Sequence, residues 1–596
     1  MAGTEQMAFS NEPASFFSNF RTISRIVCDN LLDDPIYFFL QAARRVDSRF
    51  LSSFALACVR FLPKRAIEFR AVGLLLAGNT SELSLFLRQL DSATLSERSK
   101  ARLGNIAIAI QDAQSAAHLL QKCPSSNTAL CRTSARHAWY LGDMQGAIDI
   151  LASVVRPSNK QLRHYESELK VFRGDLAITA KREIVQHDSS DGVSTLHFLT
   201  NSLPHTGSGY AQRSHSILTS LRDEGWKIEV LTRAGYPLTV GKIRAKGQDI
   251  VDGIAYRRVF PARYRSDMGS KIQQQADALA SAVERLRPSV LHTTTDFSNA
   301  LAVMSVAEAY GLPWVYEVRG QLADTWASTR PESARSSQRY RLFKEREAFV
   351  AARATHVVTL GETMKSLLVA QGVPSDKISI APNSIGDAYL EEPIERSWAR
   401  ASLGLSPDLQ YVGTVSSLVA YEGLDLLIRA AAELIPENPK LRVLIVGSGV
   451  ESNNLRELGI ELGIDEYCIF TGRVPRNDAR TYHCALDIFV VPRRDLSVTQ
   501  AVTPLKPVEA LACEVPVIAA DLPALREIVA DGVTGKLVPP EDAGKLARAI
   551  RSLLEDPSKR ASMGVAGRRT MLAERTWSAN ARKLSETYKL ITDKLQ

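Results

Sequence analysis

Residues 194–215 read Ser-Thr-Leu-His-Phe-Leu-Thr-Asn-Ser-Leu-Pro-His-Thr-Gly-Ser-Gly-Tyr-Ala-Gln-Arg-Ser-His. A short apolar run, a glycine-bearing loop and the opening of a periodic stretch follow one another without a gap. The run Ser194–Leu199 predicts a buried strand and Ala211–Arg222 a helix. Gly207 and Gly209 let backbone amides approach a ligand closely, and the helix start behind them adds partial positive charge that suits phosphate. The third glycine of the dinucleotide fingerprint is missing, so the loop taken alone fits a plain strand-to-helix turn equally well.

Downstream, the same alternation continues. Ile228–Thr232, Val290–His292, Trp314–Val318 and His356–Thr359 read as strands with helical stretches between them. Residues 383–408 carry turn residues and charge without a period, and read as a linker. Strand candidates then resume at Tyr411–Val412, Val443–Val446, Ile469–Phe470, Ile488–Val491 and Val517–Ala519. Strand and helix in succession imply parallel sheets covered on both faces. Such sheets bind ligands at the carboxyl ends of their strands, so two facing each other make a cleft. The expected class is α/β, with Rossmann-like domains at 191–395 and 396–575. A closing helix at 576–596 is expected to pack back on the first of them.

Upstream, residues 1–190 read as helices, with apolar positions at helical spacing such as Leu83, Phe86, Leu87 and Leu90. His137–Leu151 resembles one tetratricopeptide-like hairpin, but no clean repeat period surrounds it. The segment Phe50–Arg70 is apolar and carries Arg60, Lys64, Arg65 and Arg70. It reads as a buried helix pair broken at Pro63 in preference to a membrane-surface helix.

Composition narrows the class further. A chain of 596 residues is too long for one hydrophobic core. The net charge of +8 is a mild excess at this length, and no nucleic-acid module is visible. Seven cysteines with no CxxC pair suit a reducing compartment without a disulfide framework or zinc site. The first residues lack a signal-peptide pattern, and no apolar run reaches a membrane span. The expected location is cytoplasmic, with peripheral contact at the inner face of the membrane left open.

The most specific stretch is Val491-Pro-Arg-Arg-Asp-Leu-Ser-Val-Thr-Gln-Ala-Val-Thr-Pro-Leu-Lys-Pro-Val-Glu-Ala510 and the strand after it. Thr503 is expected to cap a helix with Pro504 in its first turn, leaving free amides for a diphosphate. Lys506 places a cation where the helix dipole disfavours one, which an anion there would offset. Glu509 can accept hydrogen bonds from the vicinal hydroxyls of a ribose. Each residue alone also fits a solvated surface charge.

Residues 192–590 as a whole resemble the retaining glycosyltransferases of family 4, which have the GT-B fold. The matching pieces run in the family's order: Gly207-Ser-Gly209, Thr359-Leu-Gly-Glu-Thr363, Ile380-Ala-Pro-Asn383, Tyr411-Val-Gly413, Tyr421–Leu427, Leu444–Gly449, Phe470–Pro475, Ala485–Pro492, Pro504–Ala510, Pro516–Asp521 and Asp531–Val538. The resemblance implies transfer of a sugar from a UDP- or GDP-linked donor to a hydroxyl of a glycan or lipid-linked acceptor in cell-surface polysaccharide biosynthesis. It implies no metal and no cofactor beyond the nucleotide sugar, because helix amides and cations neutralise the departing diphosphate. The resemblance assigns donor contacts to Gly207, Gly209, Gly447, Gly449, Arg473, Arg493, Thr503, Pro504, Leu505, Lys506 and Glu509. Arg319, with Glu317 beside it, occupies the place of a common catalytic-site histidine, so Arg319, Glu317 and Lys506 are the catalytic candidates.

The departures are specific. The family's first glutamate is Ala501 here, and two customary cation positions are Thr414 and Glu422, which shifts weight to Lys506, Arg493 and Arg494. A family branch combining YEVRG-, YEGLD- and TPLKPxEA-like segments is what the chain is most similar to. His197, His292 and His356 read as packed core residues, His205 and His215 flank the glycine loop, and Asp296 stands at a strand end facing the expected cleft. The rival readings are a sugar-nucleotide epimerase or phosphorylase of the same fold, or a degenerate transferase serving as a scaffold with the helical domain binding a protein partner.

Overall fold

The computed structural model describes residues 19, 20, 22–24, 66–120, 127–180, 194–261 and 263–593. Two parallel sheets dominate it. The first contains β1 (Ser194–Leu199), β2 (Lys227–Thr232), β3 (Gln248–Val251), β4 (Ile254–Arg257), β5 (Val290–Thr294), β6 (Trp314–Val318), β7 (His356–Thr359) and β8 (Ile378–Ile380), in the order β3-β4-β2-β1-β5-β6-β7-β8. Only the β3–β4 edge hairpin is antiparallel, joined by Asp252-Gly253 in positive φ, a turn that matches the twist of the strands. The second contains β9 (Gln410–Val415), β10 (Leu441–Val446), β11 (Cys468–Gly472), β12 (Ile488–Val491), β13 (Val517–Ala520) and β14 (Gly535–Val538), in the order β11-β10-β9-β12-β13-β14, all parallel. Every residue of β1 is buried, the polar Ser194, Thr195 and His197 included, as in a parallel strand covered on both faces. The α/β class expected from the sequence is the one observed.

The described N-terminal helices form hairpins whose turns repeat. Gly78, Gln111, Gly142 and Gly174 all adopt positive φ at intervals of 31 to 33 residues, and Asn or Asp follows each. Asn79, Asp112 and Asp143 accept from the amides of Glu82, Ser115 and Gly146. The interval is close to that of tetratricopeptide hairpins. Gln111 stands where the other three turns have glycine, and it hides the period in the sequence. The last of these helices, Lys160–Arg173, joins the core of the first sheet: Phe172 meets Phe297 and Phe343 edge-on. The segment Phe50–Arg70 lies outside the described residues as far as residue 65. Its end is placed, with the Arg70 guanidinium over the Phe86 ring. Among the described residues no helix is long and apolar enough to cross a membrane. Among the described residues Cys131, Cys468, Cys484 and Cys513 form no disulfide, and Cys28, Cys58 and Cys123 lie outside the described residues.

The chain passes between the halves twice, side by side, where the Ile385 amide donates to the Arg575 carbonyl at 2.9 Å. After the second passage the helix Trp577–Asp593 lies on the helix Gly209–Asp223. Trp577, Leu584 and Tyr588 fill a cluster with Ile217, Leu221 and Trp226, and Trp226 Nε1 donates to Ser585 Oγ.

Candidate active site between the two sheets

In the second half, the chain leaves β12 and reaches the seven-residue helix Lys506–Ala512. The expected cap is corrected here. Leu505, not Thr503, sits at the N-cap, and the first-turn proline is Pro507, not Pro504. The fixed φ of Pro507 suits a first turn, where its missing N–H breaks no bond. Thr503 Oγ1 is buried with no hydrogen-bond partner among the described residues. The amides of Leu505 and Lys506 donate to no other backbone group there. Lys506 Nζ donates to Glu509 Oε2 at 3.0 Å, and the lysine side chain is 39% exposed while the glutamate's is 6%. Burial pushes the Glu509 carboxyl up, but Lys506, His483 and Arg476 outweigh it and hold it below the ordinary carboxylate value. Burial lowers His483 to about 4, so this ring is neutral near pH 7.

The two glycine loops differ in kind. An added Cβ at Gly209 would meet nothing within 4 Å, and at Gly207 only Gln212 Nε2 at 4.0 Å. That loop is open, and Ser208 caps the helix after it. An added Cβ would lie 1.8 Å from the Ser416 carbonyl oxygen at Gly447, and 2.0 Å from that of Leu418 at Gly449. These glycines let the loops after β9 and β10 pack backbone to backbone. Arg473 stands exposed just beyond β11.

Arg493 is committed to its own half. Its guanidinium is bidentate on Glu422, at 3.1 and 2.7 Å, and donates a third bond to the Val502 carbonyl. Arg494 bonds Asp425 and Glu541. The glutamate at the customary cation position thus neutralises the arginine that was to replace it. Ala501 is buried within the apolar cluster of the first half.

In the first half, Glu317 at the end of β6 has no exposed surface and is a hub. Arg213 Nε donates to one carboxylate oxygen at 2.8 Å, and Arg319 Nη2 to the other at 2.5 Å. His292 Nε2 lies 3.4 Å from the same carboxylate, and its Nδ1 meets Tyr588 Oη of the closing helix. Burial pushes the Glu317 carboxyl up, yet Arg319, Arg213 and His292 reverse this and hold it well below the usual range. Arg319 Nη1 donates to the Tyr210 carbonyl and Ser214 Oγ. Glu317 therefore holds Arg319 and Arg213 and presents no surface to a substrate. Arg213 also donates to Ala381, Pro382 and Asn383 in the turn after β8. Asn383 Nδ2 in turn donates to the Thr503 carbonyl at 2.8 Å, joining this network to the loop before Lys506. Residues 213, 317, 383, 503 and 588 are too far apart in sequence for spacing to reveal the network. Glu527 of the second half accepts from the Glu362 and Thr363 amides of the first.

The remaining polar candidates have local partners. His205 bonds Asp249, and His215 bonds Tyr256 and Asp252. His356 bonds Ser379 Oγ, His197 stacks on His292, and Asp296 caps the helix Phe297–Tyr310.

The model of a glycosyl transferase 4-like domain matches residues 208–384, and that of the glycosyl transferases group 1 matches residues 396–570. The chain belongs to the family 4 glycosyltransferases. Both halves of this transferase are matched, and neither model reaches the helical region. A GDP-mannose-dependent alpha-(1-6)-phosphatidylinositol monomannoside mannosyltransferase of Mycolicibacterium smegmatis is 34% identical over 216 residues, 36% of the transferase and 56% of that relative. A D-inositol 3-phosphate glycosyltransferase of Catenulispora acidiphila is 28% identical over 421 residues, 66% of the transferase and 94% of the relative. The fold is shared with sucrose-phosphate synthase from Thermosynechococcus elongatus (TM-score 0.56, 21% identity, 67% of the transferase and 99% of that chain). It is also shared with Anabaena HepE in complex with UDP (TM-score 0.53, 18% identity, 67% and 100%).

Proposed function

We propose that this transferase moves a hexosyl group from a GDP- or UDP-sugar to a hydroxyl of a glycan or lipid-linked acceptor, with retention at the anomeric carbon, in the building of a cell-surface glycan. The observation that carries the reading is the pair Lys506–Glu509 at the loop that Asn383 ties to the first half. Glu509 is ionised and accepts the ribose hydroxyls. Lys506 and the amides of Leu505 and Lys506 take the diphosphate, whose growing charge they stabilise as the sugar bond lengthens. Arg319, fixed by Glu317, holds the Tyr210 carbonyl and so shapes the open Gly207–Gly209 loop, which contacts the donor while the first half binds the acceptor. The acceptor hydroxyl attacks from the face the diphosphate leaves. Preorganised cations do this without a metal, so excess EDTA leaves turnover unchanged.

The relatives named for GDP-mannose, inositol phosphate and phosphatidylinositol mannoside make GDP-mannose, UDP-glucose and those acceptors the first reagents to assay. Expected is release of GDP or UDP and an α-linked product by NMR. Stoichiometric nucleotide binding with no release across the donor panel would support the scaffold reading instead.

A further inference from the structure

The helical region lies outside both family matches, yet it reaches the wall of the cleft. After β6 the chain runs through Gly320, where an added Cβ would lie 3.0 Å from Tyr210 Oη and 3.9 Å from Val502 Cγ2. It then forms the short helix Leu322–Ala327, which packs against the helix Ser497–Ala501 of the second half. That second helix leads directly into Val502, Thr503 and Lys506.

The other side of this excursion is gripped by the helical region. Gly142 closes the helix Thr128–Leu141 at φ +92°, and an added Cβ would lie 2.2 Å from Ser337 Oγ and 2.8 Å from the Trp326 ring. The Gly142 carbonyl accepts from the Arg339 amide at 2.9 Å. Tyr140 Oη donates to the Thr329 carbonyl at 3.1 Å, and Arg330 Nε donates back to the Tyr140 carbonyl at 2.9 Å. The Arg330 guanidinium lies over both the Tyr140 and Trp326 rings, at 4.7 and 4.4 Å. The Gln145 amide donates to Gln338 Oε1 at 2.8 Å. The excursion is thus clamped between a repeat turn on one side and the loop before Lys506 on the other.

We infer that the helical region is a fixed wall of the transfer site: its Gly142 turn sets the helix Leu322–Ala327, and through it the segment 497–503 that leads to Lys506. Trp326 and Arg330 are positioning residues that act through this helix. A recruitment module hung on the surface would bury no turn against a cleft-lining segment and would leave the second half untouched when loosened.

The test is hydrogen–deuterium exchange by mass spectrometry on the full chain, comparing wild type with Gly142→Val and Arg330→Met. Both variants should speed exchange at least fivefold in residues 322–337 and also in 497–503, while 441–472, on the far side of the second sheet, stays unchanged. Acceleration that stops at residue 337, or none at all, overturns the inference. Should Gly142→Val unfold the helical region outright, Arg330→Met decides, because it adds no volume. A second readout rests on the proposed transferase activity: in GDP-mannose hydrolysis, Arg330→Met should lower kcat at least threefold with KM unchanged. Unchanged kcat beside faster exchange in 497–503 would overturn the positioning role. A wild type without turnover would overturn the activity and leave the exchange result to decide.

Discussion

Each half of the molecule buries a glutamate and carries a glycine loop, and the two halves treat them in opposite ways. In the first half the glutamate is locked: both oxygens of Glu317 are taken by arginines and no surface remains. Its glycine loop is open. In the second half the glycine loop is locked by backbone contact, while Glu509 bonds a single lysine whose side chain is 39% exposed. A buried charge whose partners are all fixed is held as a scaffold, whereas one with a solvent-reached partner keeps a neighbour able to move. Burial alone does not separate the two.

The sharpest way to break this comparison is to neutralise the locked glutamate. Glu317→Gln leaves two buried guanidinium groups facing an amide, and should cost about 3–5 kcal/mol in urea unfolding. Loss of turnover at unchanged stability would instead make Glu317 a substrate contact. Lys506→Met should do the reverse, lowering turnover about a hundredfold, as removal of one preorganised charge-stabilising donor does, with a melting temperature within a few degrees of wild type.

Acid sharpens the contrast next. Glu317 and Glu509 have lowered folded-state values, so their stabilisation is present above the unfolded value and is lost as pH falls through the folded one. His483 acts earlier. Its folded value of about 4 lies below the unfolded one, so protonation favours the unfolded chain and stability falls as pH drops below about 6.5. Unfolding free energy measured at pH 7 and 5 should fall by about 2 kcal/mol more in wild type than in His483→Gln. The smallest effects come from the glycines. Gly449→Ala should cost upward of about 1 kcal/mol, since the Leu418 backbone must move. Gly209→Ala should stay within about 0.5 kcal/mol, and any effect it has should fall on substrate KM. Equal stability costs at the two glycines would erase the difference between the loops.

The architecture was legible because βα alternation is a local signal and each half repeats it. The edge hairpin β3–β4 was missed although Asp252-Gly253 announces it, because its strands are four residues long and only partly buried. The helical repeat was hidden by Gln111, which takes the left-handed conformation without being glycine. In the site, Lys506 and Glu509 were visible because they share one helix. Arg493 was misjudged: spacing shows a cation near the loop but not that Glu422, 71 residues away, has already claimed it. Arg213 and Tyr588 gave no signal, since only the fold brings them to Glu317.

The closing helix has a consequence for how the protein is made. Trp577, Leu584 and Tyr588 complete an apolar cluster that includes Ile217, Leu221 and Trp226, which leave the ribosome more than three hundred residues earlier. The first half therefore waits, with that seam uncovered, until the whole second half has been synthesised. Order of synthesis and order of completion run opposite ways, and a nascent chain arrested near residue 575 would carry a finished second half beside a first half with a bare flank, the kind of surface chaperones attend to.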